Sequence, residues 1–230
     1  MVMKLEKVVP FGRSLDEYLR MFNLSNTDLQ KNILGVGDGP ASFNAEGTKL
    51  GYSLTSIDPI YQFSATEILD RFYQVVDQII IQVENTPNSW VWTYHQSPQM
   101  LKKSRVDTVH KFIADYELGK KEGRYLAEEL PNLKFASHTY DLALCSHLLF
   151  LYSDHLDYQF HLNGILEMLR VSQEVRIFPL LNLNLERSPH LEAIIQYLNA
   201  QGYITKIENV AYELQKGGNQ MLVIHHQVLS

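Results

Sequence analysis

The segment Ile33-Leu-Gly-Val-Gly-Asp-Gly-Pro-Ala-Ser-Phe43 holds the residues best suited to seat a ligand. An apolar run ends in Gly37 and Gly39, which flank Asp38, and a helix-forming stretch follows. A glycine turn between a strand and a helix N-terminus lets a ligand approach the backbone, with amide N–H groups pointing at it. Two nucleotide-binding signatures fail here. The dinucleotide fingerprint needs glycine at its sixth position, which is Ser42 counted from Gly37 and Pro40 counted from Gly35. A P-loop needs Gly-Lys-Ser/Thr after the turn, and none follows. Asp58, before Pro59, comes twenty-one residues after Gly37. An acid at the end of the next strand is placed to accept hydrogen bonds from both ribose hydroxyls of a nucleoside. An Asp before proline is otherwise a turn residue. His155, His161, His190, His225 and His226 do not converge, and neither H-E-x-x-H nor C-x-x-C occurs, so no metal site is expected.

Positioning these groups requires a sheet. Ser14 and Glu17 form a capping-box pattern ahead of Leu15, Tyr18, Leu19 and Phe22, which predicts a short helix over 14–23. Residues 32–36 and 53–57 read as strands, with a helix between them ending near Gly51. A second capping box, Ser64 and Glu67, opens a helix whose apolar stripe is Ile68, Phe72, Val75, Val76, Ile79 and Val83. Strand alternating with helix predicts a parallel sheet covered on both faces. Residues 85–122 break the alternation: Trp90, Trp92 and Tyr94 alternate as in a short strand, and a helix is expected from about 97 to 119. This stretch reads as an insertion and a candidate lid or acceptor-site element. Strands are expected at 124–127, 140–145 and 174–178, with a helix over 158–170. Ser188 is expected to cap a helix with Pro189 at its first position and Gly202 as its stop. The segments 204–214 and 220–228, around Lys216-Gly-Gly-Asn219, predict a terminal antiparallel hairpin.

The glycine turn resembles motif I of the class I S-adenosylmethionine-dependent methyltransferases, in which an apolar strand leads into G-x-G-x-G. Gly37-Asp38-Gly39-Pro40-Ala41 is similar to it, with Ala41 at the third glycine. The family's acid two places before the first glycine is here Gly35. The resemblance also covers Asp58, the run Glu128-Glu129-Leu130-Pro131, and Tyr140-Asp-Leu-Ala-Leu-Cys-Ser146-His147. It implies a Rossmann-like, three-layer α/β fold with a mainly parallel seven-stranded sheet and an antiparallel last strand. It further implies S-adenosylmethionine as cofactor. Gly37, Asp38 and Gly39 would admit the methionine portion, Asp58 and Pro59 would border the ribose, and Glu128 or Glu129, with Leu130, the adenine. Ser146 and His147 would border the reacting methyl. His147 is either a general base or a residue that shapes the pocket. Tyr18 and Arg13 flank a leading helix that in this family folds over the cofactor. Arg13 would pair with the methionine carboxylate or else lie on the surface.

With 230 residues, 45% of them hydrophobic and 20% charged, the chain reads as one domain, 1–230, with a helical cap over 1–30. A net charge of -6 argues against a basic nucleic-acid surface. The clusters Lys102, Lys103, Arg105 and Lys120, Lys121, Arg124 read as solvated helix faces. Cys145 is the single cysteine and reads as a core residue. The opening Met1-Val-Met-Lys-Leu-Glu-Lys7 lacks a signal-peptide core, and no run is long enough to span a bilayer, which points to the cytoplasm. The acceptor is expected to be a small molecule rather than nucleic acid. The alternatives are an RNA or protein methyltransferase and a non-catalytic cofactor-binding module.

Overall fold

The computed structural model describes residues 9–227; the opening Met1–Lys7, read above as lacking a signal-peptide core, and the last residue of the 220–228 segment lie outside them. The strands are β1 (Asn32–Val36), β2 (Ser53–Ile57), β3 (Tyr125–Leu126), β4 (Tyr140–Ser146), β5 (Ser172–Phe178), β6 (Tyr203–Asn209) and β7 (Gln220–His226). They form one sheet in the order β3-β2-β1-β4-β5-β7-β6, in which β7 alone runs against its neighbours. This is the Rossmann-like methyltransferase fold. The chain leaves β1 outward to β2 and β3, then returns to lay β4 on the other side of β1. Pairs Val36↔Ile57 and Val36↔Cys145 put the carboxyl end of β1 between those of β2 and β4. Open α/β sheets bind ligands at such a switch point.

Alternation along the central strands builds two cores. Ile33, Leu142, Leu144 and Val223 join one cluster, while Leu34, Ala143, Cys145, Val175 and Ile224 join the other. The first is covered by α1 (Leu15–Met21), α2 (Phe43–Lys49), α3 (Ala65–Glu84) and α4 (Pro98–Lys121), the second by α5 (Tyr158–Val171) and α6 (Leu191–Ala200). Both capping boxes form. Glu17 Oε2 accepts from Ser14 N at 2.9 Å, and Glu67 Oε2 accepts from Ser64 N at 2.9 Å. Among the described residues no helix is long and apolar enough to cross a membrane.

Three local expectations are corrected. Trp90, Trp92 and Tyr94 form no strand: Trp90 makes an isolated bridge to Gln215, and the chain then turns into α4. Two backbone bonds, Val91 N to Leu214 O at 2.8 Å and Lys216 N to Ser89 O at 3.0 Å, flank that bridge, and the Trp90 indole donates to Thr86 Oγ1 at 3.0 Å and Tyr94 Oη to Asp16 at 2.7 Å. The helix expected to begin at Pro189 begins at Leu191; the Ser188 hydroxyl, 2.6 Å from Ser153 Oγ, accepts from His190 N only at 3.4 Å. Strand β6 stops at Asn209, and residues 210–219 form a connection that turns Tyr212 and Leu214 inward. Helix α4, within the 85–122 stretch, packs on α2, β3 and α3.

Candidate active site

At the carboxyl edge of the sheet lies a cavity of about 540 Å3. Its wall includes every residue the sequence singled out for the site: Arg13, Tyr18, Gly37, Asp38, Gly39, Asp58, Pro59, Glu128, Glu129, Leu130, Ser146 and His147.

The glycine turn is held from both sides. Gly37 and Gly39 have φ of 69° and 54°, the left-handed region that glycine enters without cost. Gly37 N donates to Ile57 O at 2.9 Å, tying the turn to β2. The Asp58 carboxylate accepts from Gly39 N and Ile60 N, each at 2.8 Å. Burial pushes Asp58 up to about 6, against those two backbone bonds and with help from Glu129. Asp58 therefore organises the turn as well as facing the cavity.

Asp38 folds back beneath β1, accepting from Tyr18 Oη and Ser56 Oγ, each at 2.6 Å. A Cβ at Gly35 would sit 1.9 Å from Asp38 Oδ2, so Gly35 must be glycine for this carboxylate to take its place. Burial pushes Asp38 up to about 7, opposed by the two hydroxyls and reinforced by Asp58. Among the described residues no basic side chain pairs with it.

Arg13 is the opposite case. Its carbonyl accepts from Ser42 N at 3.0 Å, which fixes it beside the turn, and its guanidinium donates to Phe11 O. The Nε is buried without a partner, and no described carboxylate forms an ion pair with this arginine. Burial, then the nearby Arg105, lowers it to about 10, so it stays charged at neutral pH. Arg13 is partly buried in the cavity wall, not on the outer surface.

At the end of β4, Ser146 Oγ lies 2.9 Å from His147 Nδ1, and His147 N donates to Phe178 O at 2.7 Å. His147 Nε2 has no partner among the described residues. Burial, with Arg13 and Arg105 adding positive charge, holds the imidazole well below its usual range. It is neutral at pH 7 and a weak base. Glu128 is half-buried and accepts from Lys134 Nζ at 3.0 Å, whereas Glu129 is exposed.

No protein-family model matches the sequence. The chain is 38% identical over 223 residues to the uncharacterized protein MJ0045 of Methanocaldococcus jannaschii, across 96% of this chain and 98% of that protein. The two chains belong to one family. The fold is also similar to the magnesium protoporphyrin IX methyltransferase of Synechocystis PCC 6803 solved with bound SAM. That likeness has 11% identity and a TM-score of 0.48, covering 93% of this chain and 78% of that one. For the N-methyltransferase NodS of Bradyrhizobium japonicum the figures are 13%, 0.47, 91% and 92%. At these scores neither likeness bears on what this chain binds.

In this family member one part of the site escaped sequence reasoning. Arg105, expected on a solvated face, is buried and makes a two-pronged pair with Glu17, both contacts at 2.7 Å. Tyr212 Oη donates to the same carboxylate at 3.0 Å, and His95 Nε2 lies 3.3 Å from it. Arg124 is likewise no solvated charge, since it forks onto Asp115 at 2.7 and 3.0 Å. A signal for Arg105 existed: it shares helical spacing with Leu101, Thr108, Val109 and Phe112, the buried stripe of α4.

Proposed function

We propose that the protein is an S-adenosylmethionine-dependent methyltransferase acting on a small-molecule acceptor. The supporting observation is the charge pattern around the glycine turn. Among the described residues, one cavity presents a guanidinium in no ion pair, Arg13, and a buried carboxylate in no ion pair, Asp38. Uncompensated charges of this kind cost several kcal/mol each unless a ligand supplies the partner. A ligand bearing both an ammonium and a carboxylate, an α-amino-acid end, satisfies both. Asp58 on the neighbouring strand suits a ribose beside it, and Leu130 with Glu128 or Glu129 an adenine edge. Dinucleotides carry no such amino-acid end.

The cofactor supplies a methyl group on a positively charged sulfur, a strong electrophile. The chain's own residues then have three tasks. Arg13 and Asp38 fix the amino-acid end, Asp58 and the glycine turn fix the nucleoside, and Ser146 with His147 borders the space from which an acceptor atom approaches. Holding acceptor and methyl in line supplies much of the rate. Neutral His147 is suited to orienting an acceptor proton rather than to removing one from a weak acid.

Calorimetry should show micromolar binding of S-adenosylhomocysteine and none of NAD. Asp58→Ala should weaken that binding by roughly ten- to a hundredfold, because hydrogen bonds to a charged group contribute about 1.5–3 kcal/mol. Unchanged affinity in the mutant would remove Asp58 from the site.

Binding should also depend on pH. Asp38 and Asp58 ionise near about 7 and about 6, above their usual 3.8, and the ionised forms favour a cationic ligand. Affinity should therefore rise between pH 5.5 and 8. The ligand-free protein should show the reverse trend. An acid raised on folding binds more protons in the native than in the unfolded state, so stability falls as pH climbs from about 4 to about 7. Affinity that is flat in pH for the wild type and for Asp38→Asn would show that Asp38 does not face the ligand.

Radiolabelled cofactor should pass label to a small-molecule fraction of a cell extract. Label confined to RNA or protein from the same cells would overturn the acceptor assignment.

A further inference from the structure

The cavity wall beyond His147 is apolar and comes from widely separated parts of the chain. Ile79 and Val83 belong to α3, Leu101 to α4, Trp90 to the connection between those helices, Phe178 to the end of β5 and Leu214 to the β6–β7 connection. Most polar groups near this wall are already used, the uncharged Gln215 amide beside Leu214 being the exception among the described residues. The Trp90 indole donates to Thr86, and Tyr212 Oη donates to Glu17, which Arg105 also holds. Of the cavity's two arginines, Arg13 lies beside Ser42 and near His147, where the reading above gives it to the cofactor's carboxylate, and Arg71 lies over the Phe63 ring at 3.9 Å. His147 Nε2 is left as the polar group at the junction.

Resting on the methyltransferase reading, we propose that the acceptor is an apolar small molecule, ring-bearing or branched. Its hydrocarbon body sits against the Ile79–Val83–Trp90–Leu101–Leu214 wall, and its one nucleophilic atom lies at His147. A phosphate or a charged chain placed there would lose its hydration while Arg13 is held by the cofactor. A hydrocarbon or aromatic body instead gains from the apolar surface it removes from water. The volume supports a compact acceptor, since about 540 Å3 must hold both reactants.

The chemistry narrows the nucleophile. The carbon–sulfur bond breaks with its electron pair passing to sulfur as the acceptor atom bonds to the methyl carbon, and the acceptor's proton leaves to His147 Nε2 or to water. Among the described residues no carboxylate bonds to either ring nitrogen of His147, and Arg13 and Arg105 lie near. A base that weak suits a phenol or thiol, which gives up its proton readily, over an aliphatic alcohol.

The test titrates the full chain, saturated with S-adenosylhomocysteine, with the uncharged fluorophore N-phenyl-1-naphthylamine. One probe should bind per chain. Leu214→Lys should weaken probe binding by at least tenfold while changing S-adenosylhomocysteine affinity less than twofold, and Leu214→Gln, a milder change, should act in the same direction. Failure of the cofactor-saturated protein to bind the probe, displacement of probe by S-adenosylhomocysteine, or unchanged probe affinity in folded variants would overturn the apolar acceptor while leaving the methyltransferase reading intact. A wild-type protein that binds probe but no S-adenosylhomocysteine would overturn the methyltransferase reading and the acceptor with it.

Discussion

Arg105→Met is expected to lower the unfolding free energy by about 3–5 kcal/mol, the usual cost of removing one partner from a buried ion pair. Arg105 and Glu17 are both fully buried and bonded through two contacts of 2.7 Å. Burial alone would raise the Glu17 carboxyl, yet Arg105, by charge and hydrogen bonds, and His95 bring it well below the usual carboxylate range. Methionine would leave that charge to Tyr212 and a neutral His95. The loss would reach the cavity, because Glu17 lies on α1, Arg105 on α4 and Tyr212 in the β6–β7 connection, and Tyr212 lines the pocket. The double substitution Glu17→Gln with Arg105→Met should recover most of the stability, since both charges are gone and Gln keeps the capping box of α1. Urea denaturation of the three variants measures this. A single mutant within 1 kcal/mol of wild type, a threshold well under that ~3–5 kcal/mol range, would show that the pair is not buried in solution.

Gly37→Val should reduce S-adenosylhomocysteine binding below detection while the protein still folds. Two costs act on the same residue. A β-branched side chain is forced into the left-handed region, at about 1–2 kcal/mol or more. Its Cβ would also stand 2.6 Å from Leu148 Cδ2, displacing the residue after His147. The turn must then open, and opening it breaks the Gly37–Ile57 and Gly39–Asp58 bonds that shape the nucleoside end. Gly37→Ala keeps the backbone cost with a smaller side chain and should lie between wild type and Val. Calorimetry with thermal unfolding as a folding control decides it. A folded Gly37→Val variant of normal affinity would place the ligand elsewhere.

Much of this architecture was legible because it is written in local patterns. The two capping boxes, the strand-to-turn run 32–39 and the alternation across β4 each concern residues within a few positions of one another, where backbone geometry dictates which side chains face together. Their order along the chain then leaves few sheet topologies open. For the same reason every predicted site residue reached the cavity: each sits beyond the carboxyl end of a parallel strand, on the segment leading to α1 or, as Tyr18 does, in α1 itself.

Local pattern misled where a side chain's partner is distant in sequence. Arg105 meets Glu17 across 88 residues and Tyr212 meets Glu17 across 195, so a side chain read as solvated because it is charged is a core residue. The inward turn of 210–219 that shortens β6 carries Tyr212 to that carboxylate. Gly35 shows the same division. Sequence alone marks an acid missing from its place beside the glycine turn, and only the folded chain reveals that the Asp38 carboxylate occupies that space, held by Tyr18 from α1 and Ser56 from β2. Spacing encodes which backbone conformation a segment adopts; which charges lose their water, and so must find a partner, depends on what packs over them.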